Sequence, residues 1–346
     1  MVHKLDLVID GSTKEGLFKG ATEIIKSVRT DWDHDKLQFK LYTDGITNQL
    51  VGVWYDDRDK QILVRVYGNK TEMFIDRDAE RRNIEVLHKA GCGPELLAIF
   101  SNGVSYEFTK GNPTSEDDVL QEPIWKDITR ELAKLHHIKE GSGKPMLFPK
   151  LRHFLSLLPD AMNDATQQQR LVDKGYTKSK LEEEANLLES RLGSLGCPIV
   201  FSHNDILLGN VIWDESAKKA SFIDYEYGAS NYQPYDIANH FNEFVGVENI
   251  DYNRYPNEEF QRNWIRSYLS HYQNVSPEKV EESQIRQWYV WVNKFALASH
   301  VFWGVWALLQ ACHSSIDFDF FGYALIRLDE YTKRKEECLA LTSEES

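Results

Sequence analysis

Between residues 12 and 29 the apolar positions Leu17, Ala21, Ile24, Ile25 and Val28 recur at helical spacing, with Ser12 or Thr13 able to cap the first turn. The period then changes. Residues 37–42 alternate, and residues 50–55 and 62–67 read as strands on either side of the Asp56-Asp57-Arg58-Asp59 turn. A second helix is expected over residues 78–90, stopped by Gly91-Cys92-Gly93-Pro94, where glycine permits the turn and proline forbids continuation. Two further strands, 96–101 and 104–108, are joined by Asn102-Gly103, a pair favoured in tight hairpins. Beyond Thr109 the pattern is mainly helical, clearest at 124–138 and 181–192, with Glu182-Glu183-Glu184 on a solvated face and residues 147–174 as loop. This order predicts an α+β chain of two lobes: residues 1–108, a helix plus a five-stranded antiparallel sheet, and residues 109–346, larger and mainly helical.

Composition narrows the partners more than the fold. A chain of 346 residues with 42% hydrophobic residues and 10 prolines can bury a substantial core and should fold throughout. Its 54 acidic against 40 basic residues give a net charge of −14, and no Lys/Arg-rich block offsets it, which argues against nucleic acid. ATP is not excluded, because Mg²⁺ and a few placed cations neutralise phosphates locally, and negative potential favours a cationic second substrate. Cys92, Cys197, Cys312 and Cys338 lack zinc or CxxC spacing and suit reduced thiols, and the first residues lack the basic-then-apolar order of a signal peptide; both point to the cytoplasm. The apolar stretch 295–312 carries Ser299, His300 and Gln310 and reads as a buried helix rather than a membrane insertion.

The chemistry-bearing residues cluster at strand ends. The strand 199–201 runs into Ser202-His203-Asn204-Asp205, and Asn210 follows five residues past the aspartate, before a second apolar run. A further strand, 220–223, ends on Asp224. Phosphoryl transfer needs a carboxylate near the attacking hydroxyl, oxygen ligands for Mg²⁺ and cations on the phosphates. Asp205 suits the base, Asn210 and Asp224 the metal, and His203 the orientation of the loop. Residues 42–48, with Gly45, Thr47 and Asn48, sit where a phosphate-covering loop would lie, though an ordinary turn is an equal reading. Arg65 is a lone cation in an apolar strand and needs an anion; Glu80 on the next helix is the nearest candidate, and a solvated arginine on a sheet edge is the alternative. The C-terminal third is rich in aromatics, among them Trp303 and Trp306 on one helix face, which suit either a core or a cage for an ammonium group.

These motifs resemble those of the choline/ethanolamine kinases from about residue 41 to residue 335. The resemblance rests on Asp44-Gly45-Ile46-Thr47-Asn48, Leu63-Val64-Arg65-Val66-Tyr67-Gly68, His203-Asn204-Asp205 with Asn210, and Phe222-Ile223-Asp224-Tyr225-Glu226-Tyr227. It extends through Asn231-Tyr232, the block from Asp236 to Phe244, and Phe295-Ala296-Leu297-Ala298-Ser299-His300. It implies a protein-kinase-like bilobal fold with a small β-rich N-lobe and a larger, mainly helical C-lobe. It implies ATP bound through Gly45, Thr47, Asn48, Arg65, Glu80, Glu107, Thr109, Leu207 and Asp224, with Mg²⁺ on Asn210 and Asp224. The amino-alcohol site would comprise Asp205, Tyr227, Glu243, Trp303, Trp306 and Tyr323. The form of the motifs around Asp44 and Glu243 points to ethanolamine, with choline as alternative or second substrate, and hence to the first step of phosphatidylethanolamine synthesis. A non-catalytic pseudokinase is the contrasting reading. The sequence leaves monomer and homodimer open.

Overall fold

The computed structural model describes residues 2–42, 48–68, 77–314 and 316–343. The chain divides into two compact units: unit 1 comprises Met1–Asn112, Ile212–Ala217 and Ser221–Tyr227, and unit 2 comprises Pro113–Val211, Lys218–Ala220 and Gly228–Ser346. The first crossing therefore falls after Asn112 rather than after Phe108, and two later segments return to the first unit. Their side chains explain the return. Asp224 and Glu226 bond to Arg65, and the Tyr225 hydroxyl donates to the Cys92 carbonyl at 2.9 Å.

Unit 1 is built on a sheet of six strands, not five: β1 (His3–Leu5), β2 (Gln38–Tyr42), β3 (Asn48–Trp54), β4 (Ile62–Tyr67), β5 (Leu96–Phe100) and β6 (Gly103–Glu107), in the order β1-β5-β6-β4-β3-β2. The addition is β1, which pairs parallel to β5, so the sheet is mixed rather than purely antiparallel. Three mostly exposed residues carry no periodicity to detect. What fixes the segment is Asn102, whose amide exchanges two hydrogen bonds with the backbone of Ile9, at 3.0 and 2.9 Å. Gly103 plays a packing role as well, since a Cβ there would lie 2.1 Å from the Arg65 carbonyl oxygen and 2.4 Å from the Phe100 ring. Helix α1 (Lys14–Val28), capped by Thr13, buries Leu17, Ala21, Ile24 and Ile25 against Val51, Val53, Val64 and Val66 of the sheet. Helix α2 (Arg77–Lys89) buries Glu80, Ile84 and Leu87.

Unit 2 holds eight helices among the described residues: α3 (Glu122–His136), α4 (Leu147–Leu157), α5 (Ala165–Lys174), α6 (Lys178–Gly193), α7 (Gln233–Glu243), α8 (Glu258–Gln273), α9 (Glu282–His313) and α10 (Phe320–Ala340). Residues 147–174, expected as loop, contain α4 and α5. Leu147, Phe148, Leu151, Phe154 and Leu155 are all buried at helical spacing, and burial of that face is what holds α4. The solvated glutamate face is also corrected in part: Glu184 is buried and bonds to Tyr331 at 2.5 Å and Lys335 at 2.6 Å, tying α6 to α10. Helix α9 is long and apolar enough to cross a membrane, but 89% of its apolar window is buried, and it packs against α4, α6, α7, α8 and α10 as the central core helix. The remaining strands are β7 (Asn112–Pro113), β8 (Ile199–Ser202), β9 (Val211–Asp214), β10 (Lys219–Phe222) and β11 (Ala229–Tyr232). Strands β8 and β11 pair antiparallel, with Ser202 opposite Ala229, and the loop after β8 carries His203, Asn204 and Asp205.

Candidate functional site

In unit 2 the loop after β8 is bound by its backbone to α7. Asp236 Oδ2 accepts the His203 N–H at 2.7 Å, and its Oδ1 accepts the Asn204 N–H at 2.6 Å. Asn204 has φ 70°, a left-handed conformation that costs a non-glycine residue about 1 kcal/mol and that asparagine tolerates best. Its side chain is fixed by Asn231, which donates to Oδ1 at 2.7 Å. Behind Asp236 lies a buried relay: His136 Nε2 is 3.0 Å from Asp236 Oδ2, and His136 Nδ1 is 2.6 Å from the Tyr268 hydroxyl. Asp205 follows directly on this anchored backbone. Its N–H donates to His203 Nδ1 at 3.3 Å, and Asn210 Nδ2 donates to its carbonyl at 2.9 Å and reaches its carboxylate at 3.4 Å. The structure thus brings His203, Asp205 and Asn210 together, with Leu207 in the intervening turn, its carbonyl accepting the Asn210 N–H at 3.0 Å.

In unit 1 the guanidinium of Arg65, on β4, is buried among three carboxylates. Nη1 lies 3.0 Å from Asp224 Oδ1 and 3.1 Å from Glu80 Oε1, and Nη2 lies 2.8 Å from Glu226 Oε2. Burial works against its charge, but Asp224 and Glu80, then Tyr106 and Glu226, outweigh that effect and hold it protonated. Glu80 also accepts from Arg77 at 2.9 Å. Burial, reinforced by the charge of Asp224 and opposed by Arg65, pushes Glu226 up to about 7. Asp224 has φ 62°, again left-handed. Glu107 and Thr109 are both half-buried, and the Glu107 carboxylate lies 3.8 Å from Arg29. Tyr227 is buried. Gly45 and Thr47 lie outside the described residues, as does the side chain of Asn48.

A second polar cluster in unit 2 joins α7, α9 and α10. Glu243 Oε1 accepts from Arg327 Nη1 at 2.7 Å; the same nitrogen reaches the Tyr323 hydroxyl at 2.9 Å, and Nη2 donates to Ser299 Oγ at 3.0 Å. Ser299 Oγ and Trp303 Nε1 both donate to Asn239 Oδ1 at 2.8 Å. Trp306 meets Trp303 edge to face, with ring centroids 5.5 Å apart. So Glu243, Trp303, Trp306 and Tyr323 are brought together, all but Tyr323 nearly fully buried.

Sequence reasoning gave no individual role to Asp236, His136, Glu226, Arg77, Asn239 or Arg327. Some signal was present. Asp236, Asn239, His240, Asn242 and Glu243 crowd one short helix that is buried on every side, and Arg327 is the one cation in the apolar run 320–328. Their partners lie far along the chain, which no local pattern reveals.

The architecture is that of the protein-kinase-like phosphotransferases. An ethanolamine kinase from Plasmodium vivax matches with a TM-score of 0.80 at 28% identity, covering 94% of this chain and 90% of that one. A choline kinase from Cryptosporidium parvum matches with a TM-score of 0.76 at 24% identity, covering 92% and 96%, a likeness of fold alone. At the level of sequence, the profile described as Choline/ethanolamine kinase matches residues 39–332. Ethanolamine kinase 1 of Mus musculus is 41% identical over 98% of this chain and 95% of its own length. The chain belongs to the choline/ethanolamine kinase family.

Proposed function

We propose that the chain transfers the γ-phosphoryl group of ATP to the hydroxyl of ethanolamine, giving phosphoethanolamine and ADP. The observation that carries this reading is Glu243. One of its oxygens is held by Arg327, while the other accepts from nothing among the described residues, in a cluster shared with Trp303 and Tyr323. A primary ammonium has three N–H donors and wants such an acceptor, with aromatic faces around it. Tyr227 joins this set by resemblance. The perpendicular Trp303/Trp306 pair is the feature that favours choline as a second substrate, because a trimethylammonium offers charge but no donor.

The hydroxyl oxygen of the substrate attacks the γ-phosphorus, the bond to the β-phosphate oxygen breaks, and Asp205 takes the hydroxyl proton. Bonds at His203 N–H and Asn204 N–H, and from Asn210 to the Asp205 carbonyl, hold that carboxylate on a rigid loop. Mg²⁺, when bound, neutralises charge on the phosphates. Asn210 and Asp224 suit it by chemistry. The Asn210 amide nitrogen is committed to Asp205 and leaves Oδ1 for a cation, and Asp224 spends Oδ1 on Arg65, with no donor to Oδ2 among the described residues. Both are hard oxygen ligands of the kind Mg²⁺ takes beside phosphate. Arg65, paired with Glu80, orients Asp224, and the base-binding roles of Glu107, Thr109 and Leu207 rest on resemblance. The phosphate-loop role of Gly45, Thr47 and Asn48 rests on resemblance. Four free thiols fit a cytoplasmic enzyme.

The test is ADP release with ethanolamine, its mono- and dimethyl forms, and choline. Ethanolamine should give the highest kcat/KM, and Asp205→Ala should remove turnover while the melting temperature holds. Equal or better use of choline would move the assignment to choline kinase. Absence of ADP with every amine would return the chain to the non-catalytic reading.

A further inference from the structure

Arg327 is a buried charge that the phosphotransfer chemistry does not use. It is 1% exposed, and its side chain spans three helices: Glu243 on α7 at 2.7 Å, Ser299 on α9 at 3.0 Å, and Tyr323 one turn earlier on α10 at 2.9 Å. An ion pair that only staples a core normally has every neighbouring buried polar atom satisfied, because each orphan carries a desolvation cost. Here several remain. Among the described residues the Tyr235 hydroxyl, the Asn239 amide nitrogen and both ring nitrogens of His300 are buried without a hydrogen-bond partner. Tyr235, Asn239 and Glu243 succeed one another at four-residue intervals on α7, so they form one stripe along that helix. Asn239 shares the Ser299 hydroxyl with Arg327, and Tyr235 packs edge-on against Phe302, which in turn packs against Trp303. The Tyr235 hydroxyl, the Asn239 amide and the aromatic face belong to one array.

We propose that Arg327 is a positioning residue for the amino-alcohol ammonium, and that it biases the site toward donors of hydrogen bonds. The inference rests on the amino-alcohol kinase reading. By holding Glu243 through Oε1, the guanidinium fixes the direction of Oε2 and offsets the charge of the carboxylate. An offset carboxylate keeps its lone pairs but projects little net field. A primary ammonium, which donates to those lone pairs, still binds; a trimethylammonium, which relies on charge and aromatic faces, gains little from it. Through Ser299 and Asn239 the same side chain also sets the Trp303 indole, and directly it sets the Tyr323 hydroxyl.

The test compares steady-state kinetics of wild type, Arg327→Lys and Arg327→Met with ethanolamine and choline. Arg327→Met leaves Glu243 uncompensated. The KM for ethanolamine should rise at least tenfold, the KM for ATP should stay within twofold, and the ratio of kcat/KM for ethanolamine over choline should fall at least fivefold. Arg327→Lys keeps the charge but cannot reach Glu243, Ser299 and Tyr323 together. It should raise the ethanolamine KM at least threefold with kcat within twofold, and it supplies the answer if the methionine variant does not fold. Parallel losses for both amines with an unchanged ratio, or an unchanged ethanolamine KM in Arg327→Lys, would overturn the proposal while leaving the proposed function standing. A wild-type protein that phosphorylates neither amine would overturn the proposed function, and this inference with it.

Discussion

Asp236→Asn is the substitution whose consequences the geometry fixes most tightly. The carboxylate is fully buried and accepts three bonds: from the N–H groups of Asn204 and His203 at 2.6 and 2.7 Å, and from His136 at 3.0 Å. With its proton on Nε2, His136 donates to Asp236 and accepts the Tyr268 O–H; the Tyr268 oxygen in turn accepts from Gln233 at 2.5 Å. An asparagine has one acceptor oxygen. Whichever way it turns, its NH₂ group faces at least one backbone N–H, so a bond is lost and a donor is left buried. An orphaned buried donor costs about 1–3 kcal/mol, more where the lost partner was charged, so we expect a loss of roughly 2–4 kcal/mol in unfolding free energy. The left-handed backbone of Asn204 loses a restraint at the same time, and Asp205 is the next residue. A displacement of about 1 Å at a reacting group costs on the order of 10²-fold in rate. Urea unfolding at pH 7 should show the lower midpoint with an unchanged m-value, and ADP release should show a fall in kcat of about 30- to 100-fold with the ATP KM little altered. If Asp236→Asn keeps its midpoint and turns over within threefold of wild type, the loop does not depend on this anchor and the account is wrong.

Other perturbations read other parts of the molecule. Arg65→Lys keeps a positive charge but cannot hold Asp224, Glu80 and Glu226 together, and should raise the ATP KM by about tenfold with a smaller change in the amine KM. Gly103→Ala forces a Cβ to 2.1 Å from the Arg65 carbonyl oxygen and should lower the melting temperature by several degrees, about 2 kcal/mol or more, measured by calorimetry. Burial pushes His240 down to about 4, and its Nδ1 lies 3.1 Å from the Ile206 carbonyl, so it folds neutral. Its contribution is intact above pH 6.5 and is lost as pH falls toward 4, because the unfolded chain takes a proton that the folded chain refuses. Between pH 7 and 4.5 this amounts to roughly 2.5 kcal/mol, visible as a falling urea midpoint that His240→Gln should flatten.

What the sequence made legible follows the range of the interaction that holds each part. Helix α1 is fixed by periodicity and capping, the hairpin of β5 and β6 by its Asn102-Gly103 turn, and α9 by an unbroken apolar run, and their residues announce them: Thr13 caps α1 by accepting the Gly16 N–H at 3.0 Å, as expected. Helix α4 was also written in its apolar spacing, from Leu147 to Leu155, whereas α5 buries only Leu171 and is marked by its ends, the Asp164 cap and the left-handed Gly175. Strand β1 was not legible, because its pairing depends on Asn102, whose amide bonds to Ile9 across 93 positions. The same holds for Glu184, which a local pattern places in solvent and which Tyr331 and Lys335 draw into the interior. At the candidate site, residue types singled out Asp205, Asn210 and Asp224 for the proposed roles, since few side chains suit a base or a magnesium ligand. The groups that hold them are ordinary acids and arginines until the fold supplies their partners.

The same contrast accounts for the shape of the two turns that carry Asn204 and Asp224. Asn204 and Asp224 are two of the four non-glycine residues with positive φ among those described, and each is the residue type that accepts that conformation at least cost. Neither turn is fixed by glycine. A glycine would reach the same φ freely, but it would also leave it freely, and at Asp224 it would remove the carboxylate. Each turn is instead held by one buried charge on its own unit: Asp236 accepts the backbone around Asn204, and Arg65 holds the side chain of Asp224. These bonds, worth about 1.5–3 kcal/mol each where one group is charged, exceed the roughly 1 kcal/mol that a left-handed asparagine or aspartate costs. The strained conformation is therefore the stable one only while its anchor is charged and in place. Removing either anchor should loosen a turn before it unfolds a unit, and activity should fail at lower denaturant concentration than the secondary structure does.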